Sequence, residues 1–157
     1  MKYLLTILLL TLSSLALAER STIVDGNVVT KSQWLAIMPR VANDYSERLP
    51  MTVDSVTLLM SLRAYNDTFT YVYTLDRAGY SKLIHGEDAE LTPETIAYGR
   101  NVQRKILVNI YCTNPELKNW KALGTKLRHV YSDKVGVHIM TILVDPDLDC
   151  QKVIGNV

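Results

Sequence analysis

Residues 56–75, VTLLMSLRAYNDTFTYVYTL, carry the reading that decides the fold. Val56, Leu58, Met60, Leu62 and Ala64 alternate with Thr57, Leu59, Ser61 and Arg63, the period of a strand with one buried face. Asn66-Asp67 breaks the alternation, and both residue types accept the left-handed backbone that a two-residue hairpin turn demands. Pairing Tyr65 with Thr68 sets Ala64 against Phe69, Leu62 against Tyr71, Met60 against Tyr73 and Leu58 against Leu75. Arg63 then faces Thr70, and Leu59 faces Thr74, on the opposite side. Pattern and turn chemistry agree, so the stretch predicts an antiparallel hairpin with its apolar side chains on one face.

Upstream, Thr30 and Gln33 form a capping box, and Trp34, Met38, Val41, Tyr45 and Leu49 recur at steps of three or four. This predicts an amphipathic helix over 31–49, kinked or split by Pro39 and ended by Pro50. Downstream, 76–91 shows no sustained period and reads as a surface loop with at most one helical turn. Thr92-Pro93-Glu94 then starts a helix to about Tyr111, with Ile96, Gly99, Val102, Ile106, Leu107 and Ile110 as its expected buried stripe. Asn114-Pro115 opens a short helix that carries Leu117, Trp120 and Leu123 and closes at Gly124. Leu127 to Asp133 and Val137 to Val144 make a second hairpin around Lys134-Val135-Gly136. The expected fold is α+β in the order α-β-β-α-α-β-β: an antiparallel four-stranded sheet of two hairpins, with helices packed on it.

The chain has 157 residues, 48% of them apolar and 21% charged, which excludes a disordered, collagen-like or coiled-coil protein and fits one domain. Residues 1–18 read as a secretory signal peptide: Lys2, an apolar run through Leu10, and a small-x-small site at Ala16-Leu17-Ala18. As a membrane anchor the run falls short of roughly 20 residues, and Ser13 and Ser14 interrupt it. No Cys follows the cleavage site, so a bacterial lipoprotein is not expected. The mature domain is then 19–157, periplasmic or secreted, with no membrane span. Over the whole chain there are 17 Lys+Arg and 16 Asp+Glu, so loss of Lys2 leaves no net charge and argues against a nucleic-acid partner.

Cys112 and Cys150 are the only cysteines. In an oxidising compartment they predict one disulfide, worth roughly 4 kcal/mol in the chain-entropy model. Neither their spacing nor a nearby His suggests a redox or metal site.

Histidine is the first place to look for chemistry. With a two-residue loop at Lys134-Val135, His129 and His138 lie diagonally on one face beside Tyr131, a weak candidate for a metal or acid–base site. With a three-residue loop and Gly136 in the left-handed position, Tyr131 faces Ile139 and the two histidines point apart. Gly136 favours the second register. Asp145, Asp147 and Asp149 read as a solvated strand exit rather than a calcium site, because no glycine-bearing loop or terminal glutamate accompanies them. Lys118, Lys121, Lys126 and Arg128 near Trp120 read as the wet side of a helix. Nine tyrosines against one phenylalanine suit half-exposed positions, with Tyr65, Tyr80, Tyr98 and Tyr131 as candidates for exposure.

Several elements together, Leu49-Pro50-x-x-Val53-Asp54-x-x-Thr57, Tyr71-x-Tyr73-x-Leu75, Cys112-Thr113-Asn114-Pro115-Glu116 followed by Gly124, and Tyr131-x-Asp133-x-x-Gly136 with a closing Cys150, resemble a family of small exported domains of Gram-negative bacteria whose function is unknown. The resemblance covers about residues 40–150. It implies a periplasmic or secreted α+β domain with one disulfide, and carries over no catalytic residue. The segment from Arg77 to Leu91 is an extension beyond that pattern.

The expected function is that of a non-enzymatic binding or accessory protein with no cofactor. It would be the partner of a cell-envelope protein, such as part of a secretion or conjugation apparatus, or itself an inhibitor or immunity protein. The loop 77–91, with Tyr80, His85, Glu87 and Asp88, and a hairpin edge are the expected contact surfaces. A metal-binding protein or enzyme using His129, Tyr131 and His138 is the alternative, and a small-ligand carrier lined by Met60, Tyr71 and Tyr73 is a third.

Overall fold

The computed structural model describes residues 19–86 and 90–154, so the signal-peptide reading of residues 1–18 lies outside the described residues. Asp25 and Gly26, both at positive φ, close a tight turn between β1 (Ser21–Val24) and β2 (Asn27–Thr30). Helix α1 (Lys31–Ser46) follows at once: the Thr30 hydroxyl accepts from the Gln33 N–H, and the Gln33 side chain accepts from the Thr30 N–H. Contrary to expectation, Pro39 leaves α1 as one continuous helix. Met38 and Ala42, buried on either side of it, hold both halves against β4 (Thr57–Tyr65).

The main sheet has five strands in the spatial order β3 (Met51–Asp54), β4, β5 (Thr68–Leu75), β6 (Lys126–Asp133), β7 (His138–Val144). The expected four-stranded antiparallel sheet is therefore corrected twice. β3 adds an edge strand, and β5 and β6 run parallel. The parallel pairing follows from the connection, because the chain between β5 and β6 returns through helices to the end of the sheet from which β5 started.

Within the first main hairpin, Tyr65 pairs with Thr68, Ala64 with Phe69, Leu62 with Tyr71 and Arg63 with Thr70 as expected. A bulge at Met60 then shifts the register, so that Leu59 faces Tyr73 and Thr57 faces Leu75. Leu59 and Thr57 turn into the core, and Leu58 and Met60 turn out, the reverse of strict alternation.

The expected loop after β5 is in fact helix α2 (Arg77–His85). Asp76 caps it by accepting from the Gly79 N–H, and Gly86 ends it at φ 74°. Helix α3 (Pro93–Thr113) starts under the Thr92 cap as expected. A 3-10 turn (Pro115–Leu117) leads into α4 (Lys118–Ala122). After β7 the chain forms α5 (Pro146–Ile154) rather than a solvated exit. The buried Asp149 carboxylate accepts from Arg104 at 2.7 Å and from the Asp145 N–H at 3.0 Å. The Cys112–Cys150 disulfide is present and ties the last turn of α3 to α5.

Helices α1 and α3 cover one face of the sheet. At one end of that layer Trp34, Phe69 and Trp120 pack ring on ring, with centroids 4.6 to 6.4 Å apart. Thr125, fully buried, joins the helices to the sheet: its hydroxyl accepts from Trp34 Nε1 and its carbonyl from the Tyr111 hydroxyl. The stretch from Lys118 to Arg128 is thus partly internal. Lys121 bonds the carbonyls of Cys112 and Asn114, and Lys126 pairs with Asp67 and Asp145.

Candidate functional site

The reactive residues singled out from the sequence do not converge. The loop after β6 has three residues, with Gly136 at φ 86° and the Asp133 N–H bonded to the Val137 carbonyl. A further bulge at Ile139 then places Met140, and neither Ile139 nor His138, opposite Tyr131. His129 and His138 consequently lie on opposite faces. His138 is exposed and bonded to Thr141, whereas His129 is buried between Tyr71 and Tyr73, stacked on both rings. Its Nδ1 shares a hydrogen bond with the Tyr73 hydroxyl at 3.1 Å, and burial pushes its pKa down to about 4. Tyr131 is equally buried, stacked on Tyr73, and its hydroxyl accepts from Gln103 at 2.8 Å. Burial pushes the phenols of Tyr73 and Tyr131 well up, so this ring ladder is neutral and serves as core.

The carrier reading fares no better: Met60 is exposed at its bulge while Tyr73 is buried, so the trio has no common cavity. No group of three or more His, Cys, Asp or Glu among the described residues is placed to hold a metal ion. Of the segment expected to recruit a partner, Tyr80 is buried rather than exposed, and His85 ends α2. Glu87 and Asp88 lie outside the described residues.

The stripe expected to be the buried face of α3 is split: Ile96, Gly99 and Leu107 face the core as expected, while Val102, Ile106 and Ile110 turn outward and provide the site. Thr95, Gly99, Val108 and Tyr111 face the core, supported by Ile96 and Leu107. Val102, Ile106 and Ile110 are 41%, 54% and 51% exposed, and Tyr98 is 62% exposed. These four residues lie four apart and form one ridge along the outer side of the helix. Beside it runs a groove of about 380 Å³ between α2, α3 and the turn from β3 to β4. Leu83 and Ile84 form its α2 wall, Val102 and Ile106 its α3 wall, Val56 its end and Tyr80 part of its floor.

The local sequence explains why the groove is there. Gly99 lets α2 approach α3, because a Cβ at that position would lie 2.3 Å from the Tyr80 hydroxyl oxygen and 2.7 Å from Ile84 Cδ1. The start of α2 is fastened to the sheet by two ion pairs, Arg77 with Asp133 at 3.2 Å and Lys134 with Asp76 at 2.8 Å. Leu83, 69% exposed, completes an apolar surface with no described element over it. Exposed apolar surface of this kind makes the groove the candidate interaction surface. Asp54 is the one carboxylate among the groove's described lining residues, and no histidine or cysteine stands beside it there.

No family model and no curated protein sequence matches the chain. Solved structures do. A protein of Pseudomonas aeruginosa assigned as secreted aligns with a TM-score of 0.57 at 14% identity, over 73% of this chain and 92% of its own. The pilotin EpsS of the Vibrio vulnificus type 2 secretion system aligns at 0.56 and 16% identity, over 77% of this chain and 96% of its own. The type II secretion system pilotin AspS of Vibrio cholerae aligns at 0.51 and 15% identity, over 74% and 94%. At these identities the likeness is one of fold. No helix among the described residues is long and apolar enough to cross a membrane.

Proposed function

We propose that this protein is a non-enzymatic accessory protein of a Gram-negative cell-envelope secretion system, acting in the periplasm by docking an α-helix of its partner in the groove between α2 and α3. The observation that carries the reading is the exposed ridge of Tyr98, Val102, Ile106 and Ile110 beside that groove. A ridge of residues four apart is the surface into which a second helix packs, and an amphipathic helix in an apolar groove is a recurrent recognition mode. The divergence of His129, Tyr131 and His138 supports a binding role over a catalytic one. The fold shared with two secretion pilotins supports an envelope partner.

The test is capture of partners from envelope extract of the native host by the tagged mature protein and by its Val102→Glu/Ile106→Glu variant. The expected result is a stoichiometric secretion-system protein retained by the first and lost with the second, while both melt at the same temperature. Equal retention by a folded double variant would overturn the groove assignment.

A further inference from the structure

The sheet has a second surface, on the side away from α1 and α3. Register sets its side chains in rows. Arg63, Thr70, Arg128 and Leu143 form one row across β4 to β7, and Ser61, Val72, Val130 and Thr141 form the next. These positions are exposed or half-buried, and neither row contains an acid. At the end of the sheet Lys126 is neutralised by Asp67 at 3.3 Å and Asp145 at 3.6 Å. One row further in, Arg63 and Arg128 have no ion-pair partner among the described residues. The sheet therefore presents a cationic row, with the β-branched Val72 and Val130 in the row beside it.

The two guanidinium-bearing strands are separated by β5, which sets them roughly 10 Å apart. Two basic residues contribute only about 2 kcal/mol on an anionic membrane, too little to hold a domain there. Against carboxylates the same two groups make paired, charge-assisted hydrogen bonds. Open sheet faces are covered by helices, and helical residues seven apart lie about 10.5 Å apart on one side. We infer that this face docks an acidic amphipathic helix of a partner protein that crosses the strands, with two carboxylates seven residues apart on Arg63 and Arg128 and the apolar stripe beside those carboxylates on Val72 and Val130, one row along. The inference does not depend on the α2–α3 groove, since the two surfaces lie on different sides of the sheet. With both occupied, the protein is an adaptor that joins two partners.

The test is an amide NMR titration of the mature protein with a synthetic amphipathic helical peptide of about 20 residues carrying Glu at positions seven apart and Leu along the adjoining stripe. A peptide with Lys in place of Glu and phosphatidylglycerol vesicles serve as the other arms. The expected result is shifts centred on Val72 and Val130 with the Glu peptide only, weakened about tenfold by Arg63→Glu and again by Arg128→Glu. Arg63→Gln and Arg128→Gln give the same ranking if charge reversal impairs folding. Equal binding of the Lys peptide, shifts confined to α3, or binding of vesicles without the peptide would each overturn it.

Discussion

His129 shows how a residue chosen for chemistry can belong to packing. Stacked on Tyr71 and Tyr73 and bonded to one hydroxyl, it stays neutral because burial lowers its pKa from 6.5 to about 4. The unfolded chain takes up the proton first, so folded stability is complete above about pH 6.5 and falls as the pH drops from there to about 4. The loss over that window is about 3 kcal/mol. Carboxylates such as Asp76, held low by Lys134, lose their contribution only below the ordinary carboxylate range. Urea midpoints at pH 7.5 and pH 5 measure the slope, and His129→Phe should flatten it. That substitution costs about 1–3 kcal/mol at pH 7.5 by leaving the Tyr73 hydroxyl without its partner. Gly136 gave the loop length from sequence, and so the divergence of the two histidines. The bulge at Ile139 had no sequence signal, because Ile139 and Met140 are both apolar and the core accepts both.

At the scale of elements, α3 was legible in its limits and only in part in its orientation, since Ile96, Gly99 and Leu107 face the core and Val102, Ile106 and Ile110 do not. Thr92-Pro93 sets its start, but its apolar residues form two stripes, and only the sheet decides which is buried. The stripe turned outward became the candidate site. Because Val102 and Ile106 are exposed, Val102→Glu and Ile106→Glu should each change stability by no more than about 0.5 kcal/mol while abolishing partner binding. Gly99→Ala is expected to do the opposite. Its methyl drives into the buried Tyr80 hydroxyl, and an overpacking cost of about 1–3 kcal/mol exceeds the helix-propensity gain of about 1 kcal/mol. Calorimetry of the three variants separates the two effects. Two elements absent from the sequence reading left readable marks: Asp25-Gly26 is a hairpin turn, and Asp76 with Gly86 are the caps of α2. Nine residues are too few for α2 to show a helical period of its own. The hairpin at Asn66-Asp67 was correct near its turn and failed beyond Met60, since a bulge leaves the composition of a strand unchanged.

At the scale of the whole molecule, the α+β class, the helix layer and the disulfide were readable, while the parallel pairing of β5 and β6 was not. That pairing depends on which way the long helical connection returns, a tertiary choice that no local pattern encodes. The disulfide closes the loop that holds α4, β6 and β7, so reduction should remove roughly 4 kcal/mol of stability and lower the melting temperature clearly in calorimetry with and without reductant. Since Cys112 and Cys150 do not line the groove, the reduced protein should still bind its partner wherever it stays folded. The central claim, that a partner helix lies along α3, is tested most directly by site-specific photocrosslinking in the native host. A photoreactive residue is placed in turn at Ile106, on the ridge, and at Asn43, an exposed position on α1. The account predicts one discrete adduct with a secretion-system protein from Ile106 and none from Asn43. Adducts of equal yield from both positions, or none from Ile106 with the partner still co-purifying, would contradict it.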